Sequence, residues 1–462
     1  MRRLACAVSL PIALVAGCSA AGSPAGHVSM HPGATGARQA ASPPSKAKNW
    51  PTYHGNANRT GHTADAVKTP LHHAWTAKLD GGVYGEPIYV NGTLIAATEN
   101  DTVYGLNPKN GHVRWRTHLG TAETQSQFPD CGDVFPLGIT GTPAYDAKTG
   151  SVFAVATTGT GHHTLWALNA ATGKRRWHRN VDVDKARDRN AEQQRSALLV
   201  VDNRVILTYG AHAGDCDNYV GYAASVATNG KGKIPFYAVP NARQAGMWSP
   251  AGPVRALDGN LLTPTANGSN RTGGKWDHSD GVLELNPKTM HFVRGWAPAN
   301  WEQGDADDLS LSSTTPVPVD GKYVVGGKRG DVWLLRRGLG GVNGELKTLT
   351  GCQAYGGEAR AGRTVLLPCH EGVKALVVTK HSMHWTWSAG VYGSPVIAGS
   401  RVLVANGPTD GRPGTLTVLS LKTGHTETSI SVGPLTHFPS QIVVSNRIFV
   451  PTLTGITAIR GS

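Results

Sequence analysis

The sequence predicts an all-β chain folded as an eight-bladed β-propeller with four-stranded antiparallel blades. Three observations carry this. Gly (58) and Pro (28) are abundant and only 16% of residues are charged, a composition of many turns rather than long amphipathic helices. Short β-branched runs bounded by Gly, Asn, Asp and Pro recur after residue 48, with no apolar run at helical spacing. One pattern then returns eight times between residue 80 and the C-terminus, at about 45–60 residues per copy, which is a propeller period.

The N-terminus reads as an address. Met1-Arg2-Arg3 is a positive n-region, and Leu4–Ala16 is an apolar stretch too short to span a bilayer comfortably. It ends in Leu14-Val15-Ala16-Gly17-Cys18. Small residues ahead of a cysteine resemble the lipobox of bacterial lipoproteins. That resemblance implies a signal peptide over 1–17, removed on export, and a Cys18 acylated on sulfur as the new N-terminus. Residues 18–47 are Ala, Gly, Ser and Pro with scattered basic residues and cannot build a core. They read as a flexible tether with a reach of about 30 Å. Residues 48–462 are then the propeller.

Each blade is justified by its own copy of the pattern: a Gly/Ser-x-Pro lead-in, an apolar strand, a turn, a second apolar strand, and a third that ends in a turn. The clearest begins Gly85-Glu86-Pro87-Ile88-Tyr89-Val90, turns at Asn91-Gly92 and reaches Leu106-Asn107 before closing at Trp115. The second starts at Gly141-Thr142-Pro143 and closes at Trp177. Asn-Gly and Thr-Gly are the residues that tight hairpins require. Weaker copies begin at Leu198, Gly252 and Thr315, with turns at Asp202-Asn203, Asp258-Gly259-Asn260 and Asp320-Gly321. A sixth spans Cys352 to Trp387, a seventh starts at Gly393-Ser394-Pro395, and an eighth runs from Phe438 to Ile459. Closing a ring removes exposed sheet edges, and the segment 73–78 is placed to be the outer strand of the eighth blade. The tryptophans are expected to pack between neighbouring blades.

Six cysteines occur. Cys6 leaves with the signal and Cys18 takes the lipid. The remaining four suit disulfides in an exported chain. Cys352–Cys369 is preferred because both flank one hairpin, and Cys131–Cys216 follows by elimination. A metal site is the rival, but no Cys-x-x-Cys spacing supports it. The net charge of +13 falls to +11 without Arg2 and Arg3. The basic residues are scattered and form no nucleic-acid motif, which argues against a nucleic-acid partner. A basic surface suits anionic lipid or an anionic wall polymer.

The repeat resembles that of the quinoprotein family, which includes alcohol and glucose dehydrogenases dependent on pyrroloquinoline quinone (PQQ) and non-enzymatic relatives of the same fold. The segments that carry the resemblance are Leu-Asn-x-x-x-Gly-x-x-x-Trp at 106–115 and 168–177, Asn56–Gly61, Thr265-Ala266-Asn267-Gly268 and Gly327-Lys328-Arg329-Gly330. It covers nearly all of 48–462. For an enzyme of this family it implies PQQ on the propeller axis with calcium, an aspartate base, and oxygen ligands including Asn and Glu. Asn267 falls where the ligand Asn belongs. Asp305, Asp307 and Asp308 lie near the expected catalytic carboxylate.

The departures are more numerous. The family's adjacent cysteine pair is missing, the expected Glu region reads Ala213-Gly214-Asp215-Cys216-Asp217, and the Trp-rich floor pattern is missing from the fourth blade. No Cys-x-x-Cys-His is present to hold haem. His72-His73 and His162-His163 read as surface loop residues, and Ser249-Pro250 lacks a nucleophile elbow. His370-Glu371 follows Cys369, whose thiol a disulfide would remove. The expectation is therefore a monomeric, non-catalytic lipoprotein held at the outer face of the cell membrane, binding an envelope protein or wall polymer. The alternatives are a PQQ- and calcium-dependent dehydrogenase of alcohols or sugars, and a scaffold for envelope protein assembly, similar to the outer-membrane assembly propeller of double-membrane bacteria.

Overall fold

Eight hairpin-rich segments become eight sheets because each turn residue sits where a tight reversal needs it. Asn91 and Gly92 adopt φ of 48° and 79°, and Asp202 and Asn203 adopt 50° and 60°, the left-handed pair of a type I′ hairpin. The computed structural model describes residues 49–127, 131–183, 187–269, 274–408 and 410–462. The signal peptide, Cys18 and the tether lie outside the described residues.

The architecture is the predicted eight-bladed propeller. Blade 1 comprises Ile88–Val90, Thr93–Ala97, Thr102–Leu106 and Val113–His118 in that order. Blade 2 runs from Ala144 to Asn180, blade 3 from Leu199 to Ala238 and blade 4 from Val254 to Ala297. Blade 5 spans Val317 to Thr350, blade 6 Ala359 to Ala389 and blade 7 Pro395 to Pro434. Blade 8 takes Ile442–Val444, Arg447–Thr452 and Gly455–Gly461, and Leu71–Lys78 pairs antiparallel with the last of these. The ring is thus closed by the expected N-terminal strand, with Trp75 opposite Ala458. Two boundaries differ from expectation: the strands of blade 6 start at Ala359 rather than Cys352, and those of blade 8 at Ile442 rather than Phe438. Two blades carry an added parallel strand, Gly341–Val342 on blade 4 and His62–Thr63 on blade 7.

The core is a ring of layers between blades. Ile88, Ile95 and Val103 of blade 1 meet Val152, Ala154 and Leu168 of blade 2, all essentially buried. The repeat's Gly and Trp form one joint. Trp75 lies under Gly111, Trp115 under Gly173, Trp177 under Gly230 and Trp387 under Gly424, so close that a methyl group on each glycine would come within 2.4–2.7 Å of the indole. Each tryptophan therefore docks on the last turn of the next blade. Its N–H can also serve the joint, as Trp75 donates to the Pro108 carbonyl and Trp387 to that of Leu421.

Residues 50–61 form a plug that the sequence did not announce. They bond to the first strands of several blades: Trp50 pairs with Tyr89, Tyr145 donates to Pro51, Arg255 to Ala57, Arg360 to Thr60 and Ile397 to Gly61. At its centre His54 is fully buried, with Nδ1 2.7 Å from the Glu358 carbonyl and Nε2 3.1 Å from Ser440 Oγ. Ser440 Oγ also lies 2.5 Å from Glu86 Oε2. A carbonyl only accepts, so Nδ1 carries the proton and Nε2 is the acceptor. Burial accordingly holds His54 down to about 3 and pushes Glu86 up to about 8. Arg59 is buried against the carbonyls of Tyr53, Leu198 and Pro253 and the Thr52 hydroxyl.

Candidate functional site: the axial cavity

A cavity of about 250 Å³ opens where the inter-blade connections converge. Asp133 comes from the connection before blade 2, Arg195 from that before blade 3, Trp248 from that before blade 4 and Asp308 from that before blade 5. Tyr355 precedes blade 6, His437 and Phe438 precede blade 8, and Lys328 tops a hairpin of blade 5. A second cavity of about 260 Å³ shares His437 and Phe438 and continues to Tyr392, Asn406 and Thr436.

The cavity wall is aromatic and cationic. Trp248 and Phe438 lie with ring centroids 6.1 Å apart. The Arg195 guanidinium sits 5.2 Å over Phe438, and Lys328 Nζ sits 5.7 Å from Trp248, both within reach of a ring's negative face. Lys328 also pairs with Asp308 at 3.1 Å, and His437 Nδ1 lies 2.9 Å from Asp133. That His437 contact is the main influence holding the Asp133 carboxyl below its usual range. Phe438 has φ of 55°. A bulky residue in the left-handed region costs about 1–3 kcal/mol and persists where surrounding structure demands it.

The four expected site residues separate. Asn267 and Asp308 line the cavity. Asp305 does not: it is buried, accepts the Gly268 amide at 2.7 Å and the Ser279 hydroxyl at 2.8 Å, and burial pushes it up to about 7. It braces the loop that follows Asn267. Asp307 accepts from Gln303 at 2.6 Å on an exposed side. Arg329, next to Lys328, turns away to the buried Asp280.

Trp248 enters the cavity from the connection before blade 4. His72 and His73 are exposed but belong to the closing strand rather than a loop. His163 corrects the surface reading of its pair, being buried with Nδ1 2.8 Å from Asp182. Strand alternation places it opposite to exposed His162.

Cys352 and Cys369 are disulfide-bonded, so Cys369 offers no thiol beside His370. Cys131 and Cys216 are thiols here, partly exposed and in hydrogen-bonding contact, where a disulfide was expected.

Comparison with known proteins agrees with the propeller fold. A family model described as outer membrane protein assembly factor BamB matches residues 71–234. The quinohemoprotein alcohol dehydrogenase ADH-IIG of Pseudomonas putida is 27% identical over 288 residues, 58% of this chain and 38% of that protein. The quinohemoprotein alcohol dehydrogenase of Comamonas testosteroni is 26% identical over 275 residues, 54% of this chain and 34% of that protein.

The chain is a PQQ-like β-propeller. The matched part spans little more than a third of those relatives' length. The PQQ-like fold extends further than the sequence match. The solved structure of the Pseudomonas putida enzyme superposes with a TM-score of 0.70 at 14% identity, covering 89% of this chain and 80% of that one. BamB from Moraxella catarrhalis superposes with a TM-score of 0.58 at 17% identity, covering 86% and 99%.

The donor set of the PQQ-like axis does not fit calcium with a quinone. Calcium needs about six to eight oxygen ligands, and carboxylates lining the cavity already hold other partners, Asp308 with Lys328 and Asp133 with His437. Where a Glu ligand was sought, Asp215 lines the cavity but accepts the Tyr219 hydroxyl at 2.5 Å.

Proposed function

We propose that this propeller is a non-catalytic lipoprotein, anchored through Cys18 to the outer face of the cell membrane, that binds an envelope partner. The observation that carries the reading is the axial wall. It offers two cations over two aromatic rings, and its carboxylates are spent on Lys328, His437 and Tyr219. A protein partner engaged as an assembly scaffold is favoured over a polymer by the match of residues 71–234 to the BamB model. The dehydrogenase reading is favoured by the matches to quinohemoprotein alcohol dehydrogenases.

Titration of the full chain with PQQ, with and without calcium, followed by tryptophan quenching, separates catalyst from binder. No quenching at high micromolar PQQ supports the non-catalytic reading. Tight, calcium-dependent quenching that Asn267→Ala abolishes would overturn it and lead to a screen of alcohols and sugars. The anchor is tested by Cys18→Ala, which is expected to move the protein from the membrane fraction to the soluble one.

A further inference from the structure

Charge is divided between the two ends of the ring. In a four-stranded antiparallel blade the first and third turns share one end, and the second turn shares the other with the inter-blade connections. The axial cavity opens at the connection end. At the opposite end, the third turns of six blades carry an exposed lysine: Lys109, Lys174, Lys231, Lys288, Lys380 and Lys422. Far apart in sequence, they are gathered by the ring onto one face. Among the described residues none of these ammonium groups is held in an ion pair. The carboxylates of the first turns do not offset them, because Asp202 is spent on Arg255, Asp258 on Arg294 and Asp320 on Arg363. Asp217, Asp277, Glu371 and Asp410 lie in second turns, at the cavity end.

Two further features define what this face meets. The described chain enters here: Asn49 Oδ1 accepts the Asn91 amide at 2.8 Å, in the first turn of blade 1, so residues 18–47 join the propeller on the lysine side. Val113, Phe236 and Phe292 are 50, 43 and 36% exposed, and each is the first residue of an outer strand as it leaves its third turn. Lysines flanked by exposed apolar side chains suit the headgroup boundary of a bilayer, where ammonium groups meet anionic lipid and apolar groups reach toward the acyl chains. A soluble polyanion would engage the charges alone.

We infer that the lysine-bearing end of the propeller is a docking face for an anionic lipid surface, which seats the ring on the membrane and turns the axial cavity away from it. This rests on the reading of the chain as membrane-anchored. The anchor keeps the face near the lipid, and the face orients the ring.

The test is co-sedimentation of the full chain carrying Cys18→Ala, so that no acyl chain contributes, with vesicles of phosphatidylcholine alone or mixed with phosphatidylglycerol. Binding to the mixed vesicles is expected at low salt and should fall steeply toward physiological salt as the charges are screened. An ammonium group near an anionic surface is worth about fivefold in partition. The triple variant Lys109→Gln, Lys174→Gln, Lys422→Gln is therefore expected to bind about a hundredfold more weakly. Lys275→Glu with Arg412→Gln removes the same charge from second turns and is expected to bind as the parent does. Phe236→Ser is expected to weaken binding to vesicles and to leave binding to soluble polyphosphate unchanged. The three lysines hold no ion pair in the fold, so the triple variant should unfold at the parent temperature, which separates lost binding from lost structure. The inference is overturned if neutral and anionic vesicles bind alike or if the two charge variants bind equally. It is also overturned if Phe236→Ser weakens neither interaction, which would make a soluble polyanion the partner. A wild-type Cys18 found without an acyl group by mass spectrometry would instead overturn the anchor reading and leave the vesicle result standing.

Discussion

Replacing Gly173 by Ala tests how the blades are joined, and Gly92 supplies the control. Both glycines sit in the left-handed region, at φ of 69° and 79°, where an L side chain costs about 1–2 kcal/mol. They differ in what a methyl group would meet. At Gly92 nothing lies within 4 Å, so the variant bears the backbone cost alone. At Gly173 the methyl would come 2.4 Å from Trp115 Cε3 and 2.8 Å from Thr117 Oγ1, whose hydroxyl already donates to the Gly173 carbonyl. Trp115 cannot yield freely, because its indole also lies against Gly105 on its own blade. Forcing a carbon into such a joint costs about 1–3 kcal/mol more. Gly173→Ala is therefore expected to lose about 2–5 kcal/mol, and Gly92→Ala about 1–2 kcal/mol. Equilibrium urea unfolding followed by tryptophan fluorescence reads both. Equal losses in the two variants would refute the Gly–Trp joint as an interlocking contact and reduce the glycine to a turn residue.

Cys352→Ala removes a link that closes 17 residues and is expected to cost about 3 kcal/mol, with a reductant lowering wild type to the same midpoint. Cys131 and Cys216 are expected to close into a disulfide in an oxidising compartment, giving up two protons and two electrons to a thiol oxidant, and non-reducing peptide mapping of exported protein would find or fail to find the linked pair. Stability is expected to fall from pH 7 to 9. Burial raises Glu86 and Glu358 to about 8 and Asp101 to about 9, above unfolded values near 4. The folded state then binds more protons than the unfolded one through this window, so its advantage is present at low pH and lost as pH rises. His54 and His212, held down to about 3 and 4, are neutral in both states there and do not oppose the trend. A midpoint that climbs between pH 7 and 9 would contradict the buried, protonated carboxylates, and Glu86→Gln should flatten the profile.

The blades were legible because each repeats a local rule. Asn91-Gly92 and Asp202-Asn203 mark reversals whatever surrounds them, and the spacing from Gly111 to Trp115 recurs from Gly173 to Trp177 because the tryptophan of one blade docks on the last turn of the next at several junctions. The closing strand was legible too, since Leu71–Lys78 supplies what the last sheet lacked. The plug was not. Residues 50–61 have no period and form no sheet of their own, and their hydrogen bonds are made to strands scattered from Tyr89 to Ile397. A hint lay in Trp50, Tyr53 and His54 standing together after a tether otherwise free of aromatics. The blade boundaries at Cys352 and Phe438 were misread because connections that line the axis carry apolar residues much as strands do.

The axial site was hidden for a related reason. Arg195, Trp248, Asp308, Tyr355 and His437 each come from a different connection, the stretches that the repeat does not constrain. No spacing along the chain relates one to the next; the ring alone brings them together. Asp305, Asp307 and Asp308 look like a cluster in sequence, yet three consecutive directions send one into the core, one to solvent and one to the cavity. The same geometry lets a PQQ-like propeller keep its scaffold while its axis changes chemistry. A substitution in a connection replaces one wall residue and leaves the Gly–Trp joints untouched, whereas a substitution in the joint disturbs two blades at once. A change of ligand is therefore expected to come from the connections, the least repetitive part of the chain, and to leave the stability of the ring intact.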